Sequence, residues 1–253
     1  MEYTATEIVD IIEQLKDDEK YYGDFGKEFL SNSSIKTLLN NPLAYLEPVT
    51  KTKEMLIGTY IHNDLQMVKP EDNLQASPET SRNSKAYKEA RDTSGEELLL
   101  LQSELDEIKP ILERTKANSM FMELLQGNVK EGEIEQPMIK KLFGVWFKAK
   151  ADRVNNACNI VIDIKTTSDI SKFKSSFFTY GYDTQAYIYQ QLFNKEVVFL
   201  VIDKKTGQLG HYSVSPHILA QAEEKVKRAI QIRDMYYISK TEDLDQYVII
   251  EEI

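Results

Sequence analysis

The chain has 253 residues, 42% hydrophobic and 28% charged, with one cysteine and a formal net charge of −10. That length supports one large domain or two small ones with a real core, and no apolar run approaches the roughly 20 residues that span a bilayer. Cys158 alone excludes an internal disulfide, and one chain cannot then supply an iron–sulfur cluster or a cysteine-rich zinc site. The first residues, Met1-Glu2-Tyr3-Thr4, lack the basic start and apolar stretch of a signal peptide, so a cytoplasmic, non-membrane protein is expected.

Residues 4–20 read as an acidic amphipathic helix with Ile8, Ile11, Ile12 and Leu15 at helical spacing. Ser31-Asn32-Ser33-Ser34 caps a second apolar helix that Asn41-Pro42 ends. Lys53 to Val68 is helical through Met55, Ile61, Leu65 and Val68, and carries Gly58 and His62; the glycine would let this helix approach a neighbour closely. Pro70 to Gly95 is polar and breaker-rich, which predicts a long solvated loop. Glu96 to Gln126 is helical, apolar at Leu98, Leu101, Leu105, Ile108 and Leu112, divided or kinked at Pro110 and stopped at Gly127.

A strand is expected from Glu131, with Glu131, Glu133 and Glu135 on one face. Residues 144–154 alternate, placing Trp146, Lys148, Lys150 and Asp152 together; 155–159 are turn chemistry; 160–165 alternate again, with Ile160, Ile162 and Ile164 facing away from Val161, Asp163 and Lys165. A turn centred on Ala157 and Cys158 sets Asp152 opposite Asp163. Two carboxylates about 5 Å apart on neighbouring strands repel, and a hard divalent cation such as Mg²⁺ or Mn²⁺ is the economical partner.

Beyond an aromatic connection, Phe173 to Tyr182, a helix opens at Asp183 and places Gln185 and Tyr189 on one face. Residues 196–204 are a buried strand, 207–214 its hairpin partner, and 215–239 an amphipathic C-terminal helix followed by a tail. His211 and His217 have no partners at ligand spacing and read as structural.

Charge is unevenly distributed. Between Lys140 and Lys174 eight basic residues face three acidic ones (Asp152, Asp163, Asp169), a local +5 within a chain of −10. That balance points to a phosphate-tracking surface around the carboxylate hairpin, with Lys148, Lys150, Arg153, Lys172 and Lys174 as its contacts.

Asp152, followed after eleven positions by Asp163-Ile164-Lys165, resembles the PD-(D/E)XK nuclease signature in its D-x-K form, with Ala151 where the family has Pro. Three other stretches resemble RecE-type (exonuclease VIII) and RecB-family exonucleases. These are Ser31-x-Ser33-x-Ile35-Lys36 with Pro42-x-x-Tyr45; Gly58-x-x-x-His62; and Gly181-Tyr182-x-x-Gln185-x-x-x-Tyr189 directly after the D-x-K. The resemblance covers about Ser31 to Val201 and implies an α/β, restriction-endonuclease-like core, a mixed sheet flanked by helices. It implies metal ligation by His62, Glu135 (Glu131 as runner-up), Asp152, Asp163 and the carbonyl of Ile164, with one or two Mg²⁺ or Mn²⁺ ions. Lys165 would position or deprotonate the attacking water, Gln185 would orient water or strand, Tyr189 would pack against DNA, and Arg82, Lys85 and Arg91 would lie near the DNA entrance.

The expected organisation is a single nuclease domain over 1–253: a mainly helical part over 1–130 with a polar loop at 70–95, a catalytic sheet core over 131–214, and a C-terminal helix and tail over 215–253. The implied activity is exonucleolytic hydrolysis of linear double-stranded DNA, 5′→3′, by a ring around the duplex that works with a single-strand annealing protein in phage-type recombination or repair. The alternatives are a structure-specific or endonuclease of the same fold, or a catalytically idle DNA-binding or interaction protein.

Overall fold

The structure is a computed structural model that describes residues 2–66, 73–126 and 134–248. Its centre is a five-stranded mixed sheet in the order β3 (Ile134–Leu142), β4 (Val145–Asn155), β5 (Ile160–Thr167), β6 (Glu196–Asp203), β7 (Leu209–Ser213). Strands β3, β4 and β5 form an antiparallel meander, β5 and β6 run parallel, and β6 and β7 are antiparallel. The parallel step needs a crossover, which α10 (Tyr182–Phe193) supplies. Pro137, which cannot donate to a ladder, sits on the edge strand β3.

Alternation along β5 sorts its side chains between two cores, as expected from the sequence. Ile160, Ile162 and Ile164 join Val198, Leu200 and Ile202 against α5 (Lys53–Leu65), α7 (Gln102–Lys116) and α8 (Ser119–Gln126). Val161 joins Val197, Phe199 and Val201 against α4 (Asn32–Asn40), α9 (Phe173–Thr179), α10 and α11 (Pro216–Arg233). Covered on both faces, β6 is buried from Val197 to Asp203, which explains its unbroken apolar run.

A third cluster lies over the meander. The predicted first helix is α1 (Ala5–Gln14), closed by a Thr4/Glu7 capping box, followed by the short α2 (Asp18–Tyr22) and α3 (Asp24–Lys27). Ile11, Leu15, Tyr21 and Phe29 pack there on Ile139 and Trp146.

Several boundaries differ from expectation. The 70–95 segment is not one loop: Ala76–Ser77 (β1) pairs in parallel with Leu100–Leu101 (β2), and Lys85–Ser94 forms helix α6. Its single buried anchor is Tyr87, whose hydroxyl donates to the Leu99 carbonyl and accepts from the Leu99 N–H, both at 2.9 Å. One aromatic gives no periodicity to read. The long helix breaks not at Pro110, which lies inside α7, but at Ala117–Asn118, where Asn118 Oδ1 accepts the Phe121 N–H at 2.9 Å. Phe173 to Thr179 is helical rather than an irregular connection. On α5, Met55 is exposed while Leu56 and Ile57 are buried.

Candidate active site

The site forms where β4 and β5 part. The two strands pair at Arg153–Ile162, Val154–Val161 and Asn155–Ile160, which centres the turn on Ala157 and Cys158. One step further, Asp152 and Asp163 face each other as the ladder ends. The Ile164 N–H, which a continued ladder would have bonded to β4, donates instead to Asp152 Oδ2 at 2.6 Å. On its far side β4 meets β3 irregularly: pairing passes from Ile134–Arg153 to Gln136–Ala151, and Glu135 between them has φ +46°. Non-glycine residues rarely adopt that left-handed backbone, and such positions cluster at functional sites.

Four further groups converge. His62, from α5, places Nδ1 3.5 Å from Asp152 Oδ2. Lys165 Nζ stands 2.5 Å from Asp163 Oδ2 and 4.7 Å from the centre of the Tyr182 ring. Gln185, in the first turn of α10, donates from Nε2 to Asp163 Oδ1 at 2.5 Å. Gln66, four residues beyond His62, donates to Glu135 Oε1 at 3.0 Å.

Electrostatics follows from partial burial. Asp163 is 3% exposed, whereas the side chains of Asp152, Lys165 and His62 retain 14%, 18% and 23%, so the site is a cleft that water reaches. Burial and the neighbouring Asp163 push the Asp152 carboxyl well above the usual range. Burial and Asp152 push Glu135 up to about 7, though solvent on this exposed residue damps the effect. Burial holds the His62 imidazole below its ordinary value and so neutral, the form that ligates metals. Burial alone would lower Lys165, but Asp163, Tyr182 and Asp152 outweigh it and keep the ammonium charged.

The donor set is carboxylate oxygens, one imidazole and the Ile164 carbonyl, which fits a hard divalent cation. Among the described residues no three His, Cys, Asp or Glu side chains close around one point. Lys165 and Gln185 hold Asp163 instead, and the Ile164 N–H holds Asp152. Glu131 and Glu133 lie outside the described residues.

The sequence matches the family model "PDDEXK-like domain of unknown function (DUF3799)" over residues 28–247. The chain belongs to this PDDEXK-like family. A crystal structure described as "Putative exonuclease" from Eubacterium rectale aligns over 100% of this chain and 96% of its own with a TM-score of 0.59 at 16% identity. A phage-related exonuclease from Haemophilus somnus aligns over 79% of this chain and 100% of its own, with a TM-score of 0.34 at 13% identity. No protein of curated function matches the sequence. The mixed sheet between helical layers is thus the restriction-endonuclease-like core that the D-x-K hairpin implied.

Within this PDDEXK-like core, some expected site residues do other work. Lys148 and Lys150 are 6% and 8% exposed and do not face solvent. The Lys148 ammonium lies 4.1 Å from the centre of the Tyr21 ring and donates to the Tyr21 carbonyl; Lys150 lies 4.6 Å from the same ring and 2.5 Å from Asp18. Arg153 is 4% exposed. For the two lysines the reason is that α1 to α3 cover the face of β4 that reads as polar; with Arg153 buried as well, these three residues are not an open phosphate track.

Tyr189 is 9% exposed and its hydroxyl donates to the Lys150 carbonyl at 2.9 Å, pinning α10 to β4 rather than reaching toward a ligand. Arg82 grips Glu104 at 3.0 and 2.6 Å and tethers the α6 segment to α7. Arg91 binds Asp92. Lys85, Lys172 and Lys174 are exposed, with Lys85 near Glu89 and Lys172 near Asp169. A Cβ on Gly58 would meet only Thr166 Oγ1 at 3.9 Å, ordinary contact, so close approach does not demand this glycine.

Two site residues escaped the sequence reading. Gln66 shares a helical face with His62 at i, i+4, a signal available in advance. Tyr182, the ring beneath Lys165, stands inside the Gly-Tyr-x-x-Gln motif but had no role assigned.

Proposed function

We propose that this protein is a metal-dependent deoxyribonuclease that digests linear double-stranded DNA from its ends, 5′→3′, in recombination or repair. The observation that carries the reading is a charged ammonium, Lys165, held 2.5 Å from a buried Asp163 at the point where β4 and β5 part, with Asp152 and His62 on the facing wall.

Phosphodiester hydrolysis needs an oriented water, compensation for charge on the phosphorane-like transition state, and stabilisation of the leaving oxygen. Asp163 and Tyr182 keep Lys165 protonated, so it acts by positioning the water and offsetting transition-state charge rather than by removing a proton. Gln185 fixes one Asp163 oxygen and so aims the other. His62, Glu135, Asp152, Asp163 and the Ile164 carbonyl would hold Mg²⁺ or Mn²⁺, which supplies Lewis acidity to the phosphate and lowers the pKa of bound water. A ring around the duplex and a single-strand annealing partner belong to the same reading, supported by the RecE-like motif order and an acidic chain with a basic middle.

The test is digestion of end-labelled linear duplex, nicked circle and closed circle with Mg²⁺, Mn²⁺ or EDTA. Linear duplex should disappear only with a divalent ion while the closed circle survives, and Lys165→Ala should bind DNA without cutting it. Cleavage of the closed circle would favour an endonuclease of the same fold, and inertness toward all three substrates would remove the enzyme reading. Independently of activity, Mn²⁺ should raise the melting temperature of wild type and not of Asp152→Ala.

A further inference from the structure

We propose that the groove between α4, the turn leading into α10, and α11 is a subsite for single-stranded DNA, with phosphates on Lys36 and Arg228 and a base on Phe178; the ligand class rests on the nuclease reading. The groove has a volume of about 250 Å³, and its lining includes Lys36, Asn40, Phe178, Asp183, Lys225 and Arg228. Three cations face one carboxylate in a chain of net charge −10. Lys225 is engaged by the buried Asp183 at 2.6 Å. Lys36 and Arg228 are exposed and, among the described residues, have no carboxylate partner. The nearby acids of α11, Glu223 and Glu224, are taken by Lys227 at 2.7 and 2.8 Å.

Aromatic surface accompanies the charge. Phe178 and Tyr180 are 46% and 52% exposed, and Lys225 Nζ lies 5.5 Å from the centre of the Phe178 ring. Cations beside exposed rings suit unpaired bases, because a base inside a duplex has no free face to stack. One chain segment, Tyr180 to Gln185, links the groove to the carboxylate site. The Tyr180 and Tyr182 rings are 5.7 Å apart, and Tyr182 carries Lys165 over its face. Gly181 lines the groove and its carbonyl accepts the backbone N–H of Gln185, the residue that holds Asp163. The turn and first residues of α10 therefore contribute both to the groove and, through Gln185, to the carboxylate site.

The experiment is fluorescence anisotropy of a short labelled oligothymidylate in EDTA, across a salt series. Lys36→Gln/Arg228→Gln should weaken binding about tenfold or more and reduce the slope of log affinity against log salt by about 1.4, the value for two lost single-strand phosphate contacts. Phe178→Ala should cost about fivefold or more, one lost stack. Lys109→Gln, on α7 across the sheet, should bind as wild type, and equal melting temperatures would show that the double variant is folded. Wild-type affinity and slope in the folded double variant, or no oligonucleotide binding by wild type, overturns the subsite. Groove-dependent binding by a protein that never cuts DNA leaves the subsite and removes the nuclease; cutting with groove-independent binding does the reverse.

Discussion

Lys148 and Lys165 sit on neighbouring strands of one sheet, each largely buried, each with its ammonium near an aromatic ring. What surrounds them differs. Lys148 is sealed under α2 against Tyr21 and a carbonyl, with no carboxylate partner among the described residues, and burial and Lys150 depress it to about 8. Lys165 opens on a cleft with Asp163 and Asp152, and is held above its ordinary value. A strand lysine becomes chemical equipment or packing according to whether its neighbours are acids facing water or rings shut away from it.

The largest test of that contrast is loss of the amine. Lys165→Ala should lower cleavage by about a thousandfold or more, as expected when a group stabilising transition-state charge is removed, with little change in melting temperature. Single-turnover digestion beside thermal melts would reveal it, and near-normal cleavage would erase the distinction between the two lysines. Lys148→Ala should do the opposite, costing about 2 kcal/mol through lost packing and cation–π contact while the surviving folded fraction cuts normally.

Asp152→Asn sharpens the comparison from the acidic side. It keeps an acceptor for the Ile164 N–H but removes a carboxyl that burial and Asp163 hold well above its usual range, so cleavage should fall while the metal-free protein gains about 1 kcal/mol. Denaturant melts in EDTA measure this, and a less stable variant would contradict the repulsion inferred at the split.

The pH dependence of Lys148 is a smaller effect with a definite sign. Its folded value, about 8, lies below the unfolded lysine value of roughly 10.4. Between those values the unfolded chain binds more protons, so stability rises with pH. In Lys148→Met that rise should vanish, and identical profiles for wild type and variant would mean that the amine is not sealed. The smallest change is expected from Tyr189→Phe. It removes one buried hydrogen bond to the Lys150 carbonyl, about 1 kcal/mol, and should leave cleavage within about twofold; a large kinetic loss would return Tyr189 to the reacting groups.

The amino-acid sequence was sufficient for the hairpin, its register and the carboxylate pair, because two-residue alternation and a central Asn-rich turn are local properties. It was sufficient too for α5 carrying His62, which Thr52 caps, and for the helix carrying Gln185, which opens just after Gly181. Local pattern says which residues share a face but never what covers it. Only the tertiary structure put α1 to α3 over Lys148 and Lys150, turned Tyr189 inward, tied Arg82 to Glu104 and left Lys36 and Arg228 facing the groove beside Phe178. Those outcomes depend on contacts between segments far apart in the chain, where the same lysine or tyrosine is stabilised by whatever element packs against it.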